Sequence, residues 1–439
     1  MVHQQMGLLD FEQPQKISDI IDGVLDDQAH MGGGDRVKYP EYWRRAACRD
    51  WYEADHKMWM CLSDKNAICE IDKTTKKVRV LGCYPQKEIS KSDLSAVVIG
   101  NSAKIVFVPL SADDIAVYDR TEDKLIFIPV KKNYEKHREI YQENMKFRRA
   151  FAYGDYVFLL GYSYPAIIQL NINTLETNYL TEWISIIEPY IEEGDSLGYF
   201  KEGYSLSGSE IYLPLGCCGG LLRFELEKTQ FEYIPIKAET KGFGSLTDVN
   251  GTYYMTGRSG KEHELIVWNQ YTGSVKKIEI PAVYYYAPIV YNDKILLFSF
   301  NGDRVIVFKD TFSFMEYKLP ESFLYEKNAL DIKIMAVKRL GKLLKFQTGG
   351  NRKWHEFDPD TNAVVESEYR IEDEQFLSQS WNEYCDIKMK EMLKERIITE
   401  TLPTEQYLMQ IVNMWTDHYI QKNQRNANGD LIWDYLKTL

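Results

Sequence analysis

Three observations predict that this chain is all-β and built as a β-propeller. A short segment recurs seven times, at 69–81, 116–128, 168–180, 222–234, 266–278, 306–319 and 355–367. In each copy a run rich in Val, Ile, Tyr and Phe ends in an acidic or polar turn, and a second such run follows, which reads as a strand hairpin. Adjacent copies begin 40 to 54 residues apart, the spacing of propeller blades. Two more strand-like runs precede each copy, such as 95–100 and 104–110 before the second, or 287–292 and 294–300 before the sixth. Four strands per unit and seven units make a seven-bladed propeller; six blades plus an extra sheet is the alternative.

Taken in order, the chain divides into three parts. Residues 1–38 place Ile17, Ile20, Ile21, Val24 and Leu25 at helical spacing before the run Gly32–Gly34, an amphipathic segment on a flexible tether. Residues 39–371 hold the blades, of which the first and seventh are the least regular. A single blade cannot bury its apolar faces alone, and stacking around a ring buries them. From 372 to 439 the strand signal stops. Phe376, Leu377, Trp381, Tyr384, Ile387 and Met392 fall at mostly helical intervals. The break 401–404, Thr-Leu-Pro-Thr, carries helix stop and start signals. Tyr407, Leu408, Ile411, Val412, Trp415 and Tyr419 then share a face, and 431–436 reads as a third short helix. The result is a C-terminal α-helical appendage.

Composition narrows the function. The 439 residues carry a formal net charge of -12, which argues against nucleic acid or an anionic membrane surface as partner. No window approaches the roughly 18 apolar residues of a spanning helix, and the first residues lack a secretory pattern. Seven cysteines at irregular spacing fit a reducing compartment rather than a disulfide framework. These features lead to the expectation of a cytoplasmic protein. No P-loop, dinucleotide fingerprint or nucleophile elbow is present, and no cofactor or metal is expected. The sequence from Asp358 starts like a calcium loop but lacks Gly at its sixth position, so it reads as the turn of the seventh blade.

The glycine pairs Gly219-Gly220 and Gly349-Gly350, with the aromatic-acidic pairs Tyr118-Asp119 and Phe357-Asp358, resemble the repeat of kelch-type propellers. That resemblance implies the propeller fold and, since such proteins usually bind other proteins, a protein partner. It assigns no site residue.

The candidate site residues follow from blade phase. Cys217 and Cys218 fall between the second and third strands of the fourth blade, at a hairpin tip where glycines supply the turn; an exposed reactive thiol is the sharper alternative. Such turns share a face with the inter-blade connectors. Two connectors, 131–146 and 182–200, are long, and long ordered connections are often functional. The first reads as a solvated helix. The second brings Trp183, Tyr190 and Tyr199 to the third blade, beside Tyr162 and Tyr164 in its turn, either packed on the wall or forming the rim of a groove. Arg148 and Arg149 begin an inner strand, where one can point into the central channel and hold an anion or carboxylate. Tyr284, Tyr285 and Tyr286 precede another inner strand and can stack on a ligand.

These residues favour a non-catalytic scaffold that docks a protein or peptide on the connector face, with Tyr and Trp as anchors. A carbohydrate-active enzyme would need two inward carboxylates in the funnel, and a sugar-binding module a deep aromatic funnel.

Overall fold

The computed structural model describes residues 39, 41–85, 94–131, 145–192, 198–258, 263–281, 283–292, 294–300, 304–308, 313–318, 334–349, 352–361 and 363–384. The segment 1–38, the first long connector beyond Lys131, and the second and third C-terminal helices of the sequence reading lie outside them.

Seven sheets follow one another along the chain, each with its strands in sequence order. Blade 1 is β1 (Cys48–Ala54), β2 (Lys57–Leu62), β3 (Ile68–Asp72) and β4 (Val78–Gly82). Blade 2 is β5 (Ser95–Gly100), β6 (Lys104–Pro109), β7 (Asp114–Asp119) and β8 (Lys124–Pro129). Blade 3 is β9 (Phe147–Tyr153), β10 (Tyr156–Gly161), β11 (Ile167–Asn171) and β12 (Thr177–Leu180). After helix α1 (Glu182–Ile187) and the two-residue β13 (Glu202–Gly203), blade 4 is β14 (Ser205–Ser207), β15 (Glu210–Pro214), β16 (Gly220–Glu225) and β17 (Gln230–Pro235). Blade 5 is β18 (Phe243–Val249), β19 (Thr252–Gly257), β20 (Glu264–Asn269) and β21 (Val275–Glu279). Blade 6 is β22 (Ile289–Tyr291), β23 (Lys294–Phe298), β24 (Arg304–Phe308) and β25 (Phe314–Lys318). Blade 7 is β26 (Ile334–Leu340), β27 (Leu343–Thr348), β28 (Trp354–Asp358) and β29 (Ala363–Ser367). The first and seventh blades are thus as complete as the others, and the six-bladed alternative falls away.

The recurring polar turn has a physical cause. The last residue of the third strand accepts backbone N–H bonds from the residues two and three positions on. Asp72 takes Thr74 and Thr75, Asp119 takes Thr121 and Glu122, and Asn171 takes Asn173 and Thr174. Asn269 takes Tyr271 and Thr272, and Asp358 takes Asp360 and Thr361. These Asx turns fix the outer hairpins of blades 1, 2, 3, 5 and 7.

Apolar clusters fill the seams between neighbours. Val106, Val108, Ile168 and Leu170 join blades 2 and 3, for example, and Leu265, Val267, Ile295 and Leu297 join blades 5 and 6. The ring closes where residues 44–46, ahead of blade 1, meet residues 369–371, after blade 7. Ala46 N–H donates to Tyr369 O at 2.9 Å and Ile371 N–H to Arg44 O at 2.8 Å. Beside this clasp Trp51 and Trp354 meet edge to face at 4.9 Å. The appendage begins as helix α2 (374–384). It lays Trp381 and Tyr384 on the buried Trp43, at 4.8 and 5.0 Å, and Trp43 Nε1 donates to Ser380 Oγ at 3.2 Å.

A second repeated feature concerns the channel. In blades 1, 2, 3, 5 and 7 the inner strand carries one extra residue near its start, seen as a register shift against the second strand. A bulge re-aims the side chains around it. Here it sits where each inner strand enters the channel, so channel-facing residues depart from simple alternation.

Candidate functional site

In β9 the bulge falls at Phe147-Arg148-Arg149. A regular strand would send the two arginines to opposite faces. Instead both reach one carboxylate, Glu202: Arg149 Nη2 pairs with Oε2, and Arg148 Nη2 lies 3.4 Å from Oε1. The Arg148 guanidinium also covers the Tyr162 ring, 5.3 Å from its centroid.

Glu202 arrives there because blade 4 breaks the template. Its inner segment pairs with its own blade at Phe200 and again from Ser205. In between, β13 leaves and pairs in parallel with β18 of blade 5, Glu202 opposite Ser245 and Gly203 opposite Leu246. Gly203 has φ +72, and a Cβ on it would lie 2.1 Å from Leu246 O. Only glycine permits this approach. The backbone N–H of Ala287, ahead of β22, also donates to Glu202.

Asp50 and Lys338 continue the charged network, from β1 and β26. Their Oδ1 and Nζ atoms are 2.6 Å apart, and Asp50 Oδ2 accepts the Val98 N–H at 2.9 Å. The Asp50 charge also acts on Arg149. Burial pushes the Glu202 carboxyl upward, but the Arg149 and Arg148 charges outweigh it and hold the group below its ordinary range. Burial likewise works against the Arg149 charge, and Glu202 and Asp50 more than restore it.

Next to this network is a cavity of about 330 Å³ lined by Arg149, Thr247, the 286–290 segment and Val337, Lys338 and Arg339. Tyr286 closes one wall and donates its O–H to Ile334 O at 2.8 Å. Arg339 Nε donates to Gly341 O at 2.9 Å, its Nη1 donates to Val290 O, and its guanidinium covers the Tyr291 ring. Thr247, Ile289, Val290 and the 337–339 stretch lie toward the hairpins joining first to second strands. Arg149, Tyr286 and Ala287, at or before the starts of β9 and β22, lie nearer the connectors, so the cavity runs along the inner strands of blades 3, 5, 6 and 7, whereas the docking site expected from the sequence lay on the connector face.

The other residues singled out in the sequence are dispersed. Trp183 is buried in α1 against Tyr199 and Phe200, at 5.0 and 4.8 Å, and its Nε1 donates to Leu180 O at 3.0 Å. So the second long connector packs on the wall of blades 3 and 4, and Trp183 and Tyr199 are core residues rather than exposed anchors. Tyr190 alone of that group is open, 53% exposed and stacked on Tyr233 at 4.0 Å. Cys217 and Cys218 do occupy the turn between β15 and β16, yet they are only 1% and 2% exposed, because the same connector covers the tip. An exposed reactive thiol is thus not what the structure presents. Gly220 lets the chain pass under the Tyr233 ring, which a Cβ would meet at 2.3 Å. Tyr164 is buried on Phe147 and donates to Lys131 O at 2.7 Å. Tyr285 packs in the seam of blades 5 and 6, donating to Pro281 O at 3.0 Å, and Tyr284 is 53% exposed.

Arg148, Arg149, Tyr162 and Tyr286 are brought together around the channel. Glu202, Asp50, Lys338 and Arg339 were missed. The only trace of Glu202 in the sequence is Lys201-Glu202-Gly203, polar residues and a glycine where an inner strand should begin.

No protein-family model matches the sequence, and no curated protein is significantly similar to it. Among solved structures, virginiamycin B lyase from Staphylococcus aureus superposes with a TM-score of 0.50 at 10% identity, over 71% of this chain and 93% of the lyase. A streptogramin B lyase structure gives 0.51 at 12% identity, over 75% of this chain and 96% of its own. At such identities the shared property is the fold, and together with the seven sheets, six of four strands and one that gains β13 as a fifth, it makes this chain a seven-bladed β-propeller.

Proposed function

We propose that this propeller is a non-catalytic binding scaffold that receives a protein or peptide partner, part of which enters the channel cavity. The observation that carries the reading is the lining of that cavity, where Arg149, Lys338, Arg339 and Tyr286 stand beside Pro288, Ile289 and Val337. Arginine and tyrosine over a small apolar floor are the residue types that dominate binding energy at interfaces. The enzyme alternative fares worse on the same geometry. The two carboxylates of this network are engaged, Asp50 by Lys338 and Glu202 by two arginines. Sugar hydrolysis needs one carboxylic acid with a raised pKa, and Glu202 is shifted the other way.

The test is a diazirine amino acid placed at Val337, with a control at Tyr271 on the exposed turn of blade 5. After irradiation in cell extract, a discrete protein or peptide adduct at Val337 and not at Tyr271 is expected. Equal labelling at both positions, or labelling at Tyr271 alone, rules the channel reading out.

A further inference from the structure

The cavity has a charge that the rest of the chain does not share. The whole sequence carries a net charge of -12. Yet three cations line the cavity, Arg149, Lys338 and Arg339, and no carboxylate among the described residues does. Counting the second layer, the four cations Arg148, Arg149, Lys338 and Arg339 face the two carboxylates Glu202 and Asp50. Arg339 donates to the backbone carbonyls of Gly341 and Val290, which engage its N–H groups without cancelling its charge.

Resting on the binding role proposed above, we propose that the group entering this cavity is a carboxylate of the partner, held between Arg149 and the Lys338–Arg339 pair. Arg149 already recognises a carboxylate through one nitrogen, since its Nη2 pairs with Glu202 of the chain itself. Planar guanidinium donors suit a planar carboxylate in paired hydrogen bonds. The apolar part of the wall, Pro288, Ile289 and Val337, takes the aliphatic or aromatic residue that bears the acid. The field of an acidic chain weakens general attraction of anions and leaves this positive concavity to focus them. An acidic peptide, through its C terminus or an Asp or Glu side chain, is therefore the partner class.

Bead-bound random hexapeptides, probed with the fluorescently labelled full-length protein, separate these cases. One library carries free C-terminal carboxylates and lacks Asp and Glu, a second is C-amidated and contains Asp and Glu, and a third is amidated and lacks both. Binding at least tenfold stronger to the first or second library than to the third is expected, and which of the two wins assigns terminus or side chain. Arg339→Gln should weaken that binding at least fivefold with unchanged thermal melting, whereas Lys338→Met should weaken it as well and also lower the melting temperature, because it leaves the buried Asp50 unpaired. Arg149→Lys, which keeps the charge and loses the fork, should weaken it as well. Equal binding to all three libraries overturns the carboxylate inference while leaving the binding role standing. No binding to any library, together with no Val337 adduct, overturns both.

Discussion

Blades 3 and 4 are neighbours built on one template, yet they present opposite charges to the channel by different means. In blade 3 the inner strand β9 stays in its own sheet and a single extra residue turns Arg148 and Arg149 to one side. In blade 4 the corresponding segment abandons its sheet for two residues, hydrogen-bonds to blade 5, and delivers Glu202. A bulge costs little because flanking ladder bonds survive. The excursion needs a left-handed glycine and a partner strand from another blade. The comparison teaches that the charged centre depends on a deformation of blade 4 more than on any feature of blade 3.

The largest expected effect tests this directly. Glu202→Gln leaves two guanidinium groups facing a neutral amide in a buried site and should cost about 3 kcal/mol of stability, read by urea unfolding. The effect should depend on pH. The folded Glu202 pKa lies below its ordinary 4.5, so its contribution is present above that value and is lost as pH falls through the folded pKa. Wild type and Glu202→Gln should therefore converge in stability below pH 4.5; a constant gap would show that the charge is not the cause. Next, Gly203→Ala should cost about 2 kcal/mol from the positive φ and the collision with Leu246 O, with faster hydrogen exchange along β18. Exchange unchanged in β18 would mean that β13 is not held there. Arg148→Gln should cost under about 1 kcal/mol, because its contact is longer and its side chain more solvated; a loss equal to that of Glu202→Gln would erase the distinction between the two arginines. On the outer wall of the same two blades, Tyr190→Ala should cost only about 0.5 kcal/mol for its exposed stack on Tyr233, read as a small shift in melting temperature.

These predictions also mark what sequence can and cannot carry. The seven blades were legible because each repeats a local signal, a period-two apolar run closed by a polar turn, in five of them an Asx turn such as that at Asp119 or Asn269. That chemistry lies within four residues and survives without knowledge of the ring. Arg148 and Arg149 were legible as channel residues because they begin an inner strand. The carboxylate they hold was not. Glu202 depends on a parallel pairing with Ser245, more than forty residues away, and no periodicity in 198–204 encodes that. The burial of Cys217 and Cys218 escaped for a related reason, whereas wall packing of Trp183 and Tyr199 was one of the two readings the sequence offered. A connector that folds back over a turn is a tertiary event, whereas glycine-rich turns taken alone read as surface.

The closure of the ring has a mechanical consequence. Arg44 lies beside Ile371 and Ala46 beside Tyr369, so the two chain directions leave the clasp at the same end. Tension applied to the termini loads these hydrogen bonds one after another, as in peeling tape, rather than all together in shear. Such a joint opens at low force unless something holds its mouth shut. Trp43 and α2 lie just outside it, one on each strand, and their contact must part before the first backbone bond feels the load. Helix α2 thus serves as the latch of a ring whose blades are each a single uninterrupted length of chain.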